Sequence, residues 1–437
     1  MKPLTAFLKK PVLPYCLVVV AVFLSYVNAH NQLQDLMFSD LGPRVTSATA
    51  LAHKQPAYFE IEANLPVDSL KNLNGCTITP FVILLNYSLP HFSTCSIKEI
   101  WLVGQFLLFV ACGILTIAFT NNPGRRYLQC FSFIIFFVCS RYWAIHIYAG
   151  QIHILYAFLF FLLYALKARQ KEFLFGVTLA FAIACRPLFF PSVFIVLIWY
   201  NKKALYGLLC AAAFLALLTV VTGTVPYWFE YLRAMRLSSL EMPAVTHPEI
   251  EFKRPETYFP PCTTAQSRGW IISDINKQME NIGRAGGLLK PLQTYLLEKN
   301  ILITNTLIFS GIAFAASAIV TFFLKVKNKA IGADKFVFLL FVMYILSEIC
   351  TPAPRGPYNY VLWLFGAFMI ISRGNFSSIV LLLIGLSLNH DHPYIHHGRE
   401  WGEGLMLLAG FLFLFGKRGA GEAANTTTVN SFRPTAG

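Results

Sequence analysis

The chain has 437 residues, of which 56% are hydrophobic and 13% are charged, and its formal net charge is +14. A soluble protein of this length cannot bury so large an apolar fraction, so the composition excludes a soluble globular protein and predicts an all-α polytopic membrane protein. The positive charge does not indicate nucleic acid binding, because Lys and Arg occur in short clusters between apolar runs, as membrane topology signals do.

Apolar runs recur along the whole chain. A membrane span needs about 20 apolar residues, and fewer where neighbouring helices enclose it. On this measure we predict about twelve transmembrane helices, near 11–27, 98–119, 127–145, 152–166, 172–185, 188–200, 204–222, 301–325, 336–350, 358–372, 376–389 and 404–416. The first run lacks a small-residue cleavage site, which favours an anchor over a removed signal peptide. Segment 76–92 is predicted to be re-entrant or partly buried.

Basic residues lie at alternate connections between these runs, which predicts that those connections and both termini are cytoplasmic. External loops are then expected at 28–97, 223–300, 351–357 and 390–403. The stretch "VPYWFEYLRAMRL" near the start of the second loop predicts an amphipathic helix in the headgroup layer. Residues 1–418 are predicted to form one integral membrane module, and the Ala-, Gly- and Thr-rich tail at 419–437 is predicted to be disordered.

Segment 172–200 predicts a helical fold-back. Basic residues flank it at both ends, so both ends should face the cytoplasm, and each half is too short to span alone. Arg186 and Pro187 lie between the halves. Proline does not continue a helix and a charge within a membrane is unfavourable without a partner, so we expect two short helices to meet at this turn below the outer surface. The turn would lie in a pit that opens to the external side.

Several motifs occur in a fixed order. "FSDLGPRVTSATALAHKQPAY" follows the first span and contains Asp40, Pro56 and Tyr58; Gly150 and Gln151 open a span, and Arg186-Pro187 forms the fold-back. "ILLNYSLPHFSTCSIKEIWLVGQF" leads into the second span, and "TPAPRGPYNYVLWL" runs from Thr351 to Leu364. Over most of residues 11–375 this order resembles glycosyltransferase family 87, the DUF2029-type integral membrane enzymes with a GT-C fold.

The resemblance implies transfer of a sugar from a polyprenyl-phosphate donor to a lipid-linked or glycan acceptor on the external or periplasmic face of the cell membrane. It implies no nucleotide sugar, cofactor, metal or nucleic acid; the expected partners are the donor, the acceptor and membrane lipids. Mannose is the first choice of sugar and arabinofuranose the second. The acidic residue of the first external loop, here Asp40, would be the catalytic base. Relatives often have a His in the late motif, where this chain has Arg355, Pro357 and Tyr358.

Inverting transfer requires a carboxylate near the attacking hydroxyl and positive charge near the leaving phosphate. Asp40 fits the first role, although an Asp before "LGPRV" also fits a helix N-cap, and Asp35 is the fallback carboxylate. Arg355, Arg186 and Arg44 are the candidate phosphate contacts, against the alternative of interface anchors whose charges reach the headgroups. The residues expected to line the substrate cavity are Tyr58, Arg141, His146, Gln151, Tyr358 and Asn359.

The stretch "NHDHPYIHHGREWGEG" would suit a metal cage in a soluble protein, through His390, Asp391, His392, His396, His397 and Glu400. Its spacing matches no metal signature, so a solvated external loop is favoured and no metal site is predicted. Cys76, Cys95 and Cys262 lie in predicted external loops, so one disulfide among them is an open alternative.

The rival function is a transporter or flippase of a lipid-linked glycan, and an acyltransferase with a His-centred site is a distant third. An enzyme needs one carboxylate at the outer face, whereas a carrier needs charges reachable from both faces.

Overall fold

The structure, a computed structural model, describes residues 12–33, 40–58, 78–199, 201–241, 311, 315, 318–326, 331–350, 357–389 and 398–416, with the backbone alone at 236–241, 350, 357 and 358. Within these ranges every regular element is a helix and none is a strand. The prediction of an all-α protein is therefore confirmed for the described part of the chain.

The α-helices are numbered in chain order. They are α1 (Val12–Asn31), α2 (Leu41–Ala52), α3 (Pro80–Leu85), α4 (Thr94–Ala118), α5 (Pro123–Phe133), α6 (Arg141–Tyr148), α7 (His153–Ala168), α8 (Glu172–Cys185), α9 (Pro191–Ile198), α10 (Lys202–Val221), α11 (Val225–Glu241), α12 (Ala333–Cys350), α13 (Trp363–Arg373), α14 (Phe376–Leu388) and α15 (Gly398–Phe415). A π-helical stretch, Ile134–Val138, continues α5, and 3-10 turns occur at Leu89–His91, Pro187–Phe189 and Pro357–Leu362. Residues 318–326 are also helical.

Three described helices, α1, α4 and α10, are long and apolar enough to cross a membrane. A fourth span results if the pair Pro123–Val138 and Arg141–Tyr148, bent by 50°, counts as one. The twelve-span prediction is thus not established by length and composition, since helices such as α7 are too short. At about 1.5 Å per residue, its 16 residues reach about 24 Å, less than the hydrocarbon thickness of about 30 Å.

Two predicted spans are interrupted in the structure. The run at 127–145 breaks between the π-helical stretch and α6, where the Ser140 hydroxyl caps α6 by accepting from the Trp143 N–H at 3.3 Å. The run at 188–200 consists of a 3-10 turn and the eight-residue α9. Loop bounds also differ: α1 continues to Asn31, the described parts of loop 28–97 contain α2 and α3, and α15 begins at Gly398 rather than after residue 403.

The fold-back at Arg186-Pro187 is confirmed. Helix α8 ends at Cys185, Arg186 is extended with φ −151° and ψ 109°, and Pro187 begins the next turn. An extended residue before proline is expected, because the proline ring disfavours the helical region for its predecessor. Helix α8 is fixed against α10 by backbone contact: a Cβ atom at Gly176 would collide with the Ala204 carbonyl, and one at Gly207 with that of Phe173.

The helix ends gather into two polar regions. At the basic end, Arg125 donates to the Ser372 carbonyl at 2.8 Å, Arg373 pairs with Asp334, and Lys335 donates to the Leu414 carbonyl at 2.9 Å. At the opposite end, called here the Asp40 end, the turns that carry Asp40, Gln151 and Arg186 meet α2 and the end of α12. Connections predicted to share one side of the membrane therefore contact one another.

Candidate functional site

Asp40 occupies the N-cap position of α2 but does not cap it. Its side chain makes no capping hydrogen bond. An N-cap carboxylate accepts from the second or third helical N–H, and the third residue here is Pro43, which has none. The Asp40 carboxylate instead accepts a hydrogen bond from Nε2 of Gln151, and its backbone N–H donates to the Ala149 carbonyl at 2.9 Å. The structure thus favours a role other than capping for this carboxylate.

Gln151 links Asp40 to Arg44. Its Oε1 accepts from Nη2 of Arg44 at 3.3 Å, while Nη1 of Arg44 donates to the Gly150 carbonyl at 2.5 Å. Gly150 has φ +68°, a conformation that glycine adopts without steric strain, so the Gly-Gln pair forms the tight turn between α6 and α7. Arg44 is only 3% exposed and lies over the Trp101 ring at 5.5 Å. Arg44 therefore holds the turn that presents Gln151 to Asp40.

His146 lies in the buried layer behind this turn. Its Nε2 is hydrogen-bonded to Oε1 of Gln105 at 3.1 Å, and its ring stacks on Trp143 at 5.2 Å. The His153 ring is 6.2 Å away and in turn meets Tyr156 edge-on at 5.8 Å. Because His146 is fully buried, it supports the turn from within the bundle rather than lining an open surface.

Arg186 forms a second polar cluster at the Asp40 end. Its Nη2 donates to Oε1 of Glu348 at 2.5 Å, and the same oxygen accepts from the Tyr344 hydroxyl at 2.8 Å. The guanidinium lies over the Tyr156 ring at 5.4 Å. The Arg186 side chain is 28% exposed, and its Nε has no hydrogen-bond partner among the described residues. That Nε is itself buried, so a ligand would meet this cation through the part of its side chain that is exposed.

Segment 78–91 packs against the fold-back. The Thr79 hydroxyl donates to the Ala184 carbonyl at 2.6 Å, at the end of α8, and accepts from the Val82 N–H at 3.4 Å as the N-cap of α3. With six residues, α3 is too short to span a membrane. The partly buried segment predicted at 76–92 is seen in its described part.

Helix α11 is tied to the segment that follows α2. The Ala57 N–H donates to Oε2 of Glu230 at 3.0 Å, and the Tyr58 and Tyr231 rings lie 5.6 Å apart. Partial burial raises the pKa of Glu230 above its usual value of 4.5, although the backbone N–H groups of Ala57 and Tyr58 oppose the shift. An ionisable side chain thus joins two elements at the Asp40 end.

The other predicted cavity residues are dispersed. Tyr58 is fully buried, and its hydroxyl donates to the Ile78 carbonyl at 2.8 Å, so it anchors the chain. Arg141 is exposed and lies roughly 140° around α6 from the buried His146, so the two residues point to different sides of this helix. Asn359 is buried beside Tyr360, whose ring lies 5.2 Å from that of Tyr142. The described residues do not include Asp35, Arg355, Cys76, Cys262, His390, Asp391, His392, His396 or His397, nor the Tyr358 side chain.

Three residues of the site were missed by sequence reasoning: Glu348, Tyr344 and Glu230. Glu348 had a usable signal, because it is the lone charged residue in the apolar run 336–350. An ionisable residue in such a run indicates function or a buried partner. Tyr344 and Glu230 had no comparable signal, since a tyrosine in an apolar helix and a glutamate in an amphipathic one are ordinary.

The described residues contain no group of three or more His, Cys, Asp and Glu side chains arranged to hold a metal ion. Cys95, in the first turn of α4, is disulfide-bonded. No protein-family model, curated protein or solved structure matches this chain.

Proposed function

We propose that this chain is a GT-C-type glycosyltransferase that transfers a sugar, with mannose as the first choice, from a polyprenyl-phosphate donor to a lipid-linked or glycan acceptor. One observation carries the proposal. Asp40 lies at a helix start without capping it, and Gln151 orients its carboxylate at the same end of the bundle as the partly exposed cation Arg186. A base and an anion-binding donor at one end are what inverting transfer requires.

In the proposed reaction an acceptor hydroxyl attacks the anomeric carbon of the donor sugar. The new C–O bond forms as the bond from this carbon to the phosphate oxygen breaks, and its electron pair leaves with the phosphate. Asp40 takes the hydroxyl proton. Asp40 therefore loses its negative charge while the leaving phosphate gains one, so the net charge of the site does not change during the step.

The geometry ranks the candidate phosphate contacts. The Nη atoms of Arg44 bond to Gly150 and Gln151, which assigns it to the support of the turn. The Arg186 side chain is more exposed than Arg44, and a planar guanidinium suits phosphate oxygens. Arg355 stays a candidate from the sequence alone.

Two features support an external position for the Asp40 end. Disulfides persist in oxidising compartments, and Cys95, which is disulfide-bonded, begins α4 at this end. The basic end lies opposite, and the excess of Lys and Arg in its connecting loops predicts that this end faces the cytoplasm. Helices α7, α8, α12 and α13 connect the two ends although they are short, so the proposal counts them as spans in addition to the three or four long ones.

The test uses membrane vesicles, a lipid acceptor extract, and labelled polyprenyl-phosphate mannose or arabinofuranose. Asp40→Asn should lower transfer by about 10²- to 10⁴-fold, the usual contribution of a general base, while donor binding persists. Glu99→Gln is the matched control, because Glu99 is an exposed carboxylate on α4 at the same end. Full activity of Asp40→Asn would overturn its role as base. A wild-type protein that moves the lipid-linked glycan across vesicles but transfers no sugar would favour the flippase.

A further inference from the structure

Glu348 is a buried carboxylate in an otherwise apolar part of α12. Its side chain is only 2% exposed, and residues 336–347 before it carry no charge. A buried carboxylate is strongly destabilising unless hydrogen bonds or an opposite charge compensate it. Replacing such a pair by apolar side chains is often neutral or stabilising, so stability alone does not explain its presence.

The contacts of Glu348 constrain the direction of Arg186. Oε1 of Glu348 receives both the Arg186 Nη2 and the Tyr344 hydroxyl, and Tyr344 lies one helical turn away on α12. The guanidinium is planar, so fixing one nitrogen and one face fixes where the remaining N–H groups point. The Tyr156 ring covers one face at 5.4 Å. Arg186 is the extended residue at the end of α8, where its N–H donates to the Ala182 carbonyl at 2.9 Å.

We propose that Glu348 is a positioning residue that directs the Arg186 guanidinium toward the phosphate of a polyprenyl-type membrane lipid. This inference rests on the proposed function for the identity of the lipid. Glu348 touches neither sugar nor phosphate in this proposal; it acts through Arg186.

The experiment measures binding of sugar-free polyprenyl phosphate to the purified full-length chain in nanodiscs, together with sugar transfer. Glu348→Ala removes charge and acceptor, and Glu348→Gln keeps an acceptor of the same shape. Because a hydrogen bond to a charged group contributes about 1.5–3 kcal/mol, Glu348→Ala should raise the Kd for polyprenyl phosphate about tenfold or more. Glu348→Gln should recover most of that affinity, since its amide oxygen still orients Arg186.

A double-mutant cycle separates positioning from folding. In an Arg186→Met background, Glu348→Ala should change the Kd by no more than about twofold, since the residue through which it acts is absent. The double variant also carries no unpaired buried charge, so it should fold even where Glu348→Ala alone does not. If Glu348→Ala weakens binding equally with and without Arg186, its role is structural and the proposal is overturned.

Further arms distinguish the ligand and the two proposals. Asp334→Asn, which alters the ion pair at the other end of α12, should leave the Kd within about twofold. Displacement of polyprenyl phosphate by equimolar inorganic phosphate, or by nanodiscs rich in phosphatidylglycerol, would overturn the assignment of a polyprenyl lipid. Glu348-dependent binding without transfer by the wild type would remove the proposed function and keep the positioning role. Sugar transfer that is insensitive to Glu348→Ala would keep the proposed function and overturn the positioning role.

Discussion

Helix α12 carries an arginine–carboxylate–tyrosine cluster at each end, and the two clusters are chemically alike. At the basic end Asp334 accepts from Arg373 and from the Tyr164 hydroxyl at 3.1 Å, and Arg373 lies 5.7 Å from the Tyr164 ring. At the Asp40 end Glu348 accepts from Arg186 and Tyr344, and Arg186 lies over Tyr156. The two carboxylates are separated by about 21 Å of helix.

The clusters differ in how their donors are used. Oδ1 of Asp334 accepts from Tyr164 and Oδ2 accepts from Arg373, and the three residues join helices α12, α13 and α7. At the Asp40 end, Arg186 and Tyr344 donate to the same oxygen of Glu348, and Arg186 belongs to a turn rather than a helix. The first arrangement ties helices together. The second orients a partly exposed cation at the end of the bundle that holds Asp40. We propose that the same three side-chain types stabilise packing at one end and prepare a ligand site at the other.

Replacing each of the two arginines separately should give the largest difference in sugar transfer between the two clusters. We expect Arg186→Met to lower sugar transfer about 10²- to 10³-fold, the effect of losing one donor to a developing anion. Arg373→Met should leave transfer within about threefold, because its charge lies at the far end of α12. Initial rates in matched membranes, normalised to folded protein, measure both. Equal losses of transfer would show that the arginines serve one structural purpose.

The cluster at the basic end should matter for the stability of the protein rather than for transfer. Asp334→Asn weakens two hydrogen bonds of the cluster at the basic end, one of them to a cation, and should lower the free energy of unfolding by about 2–3 kcal/mol. Thermal unfolding of the detergent-solubilised protein measures this loss. Glu99→Gln, an exposed carboxylate change, should stay within about 0.5 kcal/mol. An Asp334→Asn variant as stable as this control would contradict the packing role of the cluster at the basic end.

Local signals predicted the parts of the fold that depend on local chemistry. The bounds 172–185 match α8, because basic flanks and Pro187 mark both limits of that helix. The apolar run at 98–119 corresponds to α4, which begins earlier, at Thr94, after the Ser93 cap. The interruption of 127–145 depends on a π-helical stretch and on the Ser140 cap, which have no strong signature in an apolar run.

The site was predictable only as separate residues. Asp40, Gln151 and Arg186 were each identified from motif order, but their partners were not. Glu348 is 162 positions from Arg186 and Gly150 is 106 positions from Arg44, and no local pattern encodes such pairs. Arg44 was therefore predicted to contact phosphate, whereas its bonds assign it to the turn. Pro43, which removes one of the two N–H groups that Asp40 could cap, was readable in the sequence once the start of α2 was known.

Gln151 provides a sharper comparison with a buried glutamine in another part of the molecule. Gln151→Met removes the amide between Asp40 and Arg44 and should lower kcat about tenfold, with a small change in KM, because it misorients the base. Gln129 on α5 is similarly buried, and its Nε2 donates to the Phe368 carbonyl at 2.8 Å. Gln129→Met should lower the Tm but leave kcat unchanged. If both variants lose kcat in proportion to Tm, Gln151 has no specific link to Asp40.

Glu230 should give the smallest effect. Its titration at the Asp40 end should make the stability of the protein depend on pH. Its pKa is raised by burial, so the folded state binds the proton more tightly than the unfolded state. The stabilising contribution of protonated Glu230 is complete below about pH 4.5 and is lost as the pH rises through the raised pKa. Thermal unfolding from pH 4 upward should show the Tm of wild type decreasing relative to Glu230→Gln, by no more than about 2 °C. Parallel Tm curves for the two proteins would mean that Glu230 titrates alike in the folded and unfolded chain, and that its bond to Ala57 does not depend on pH.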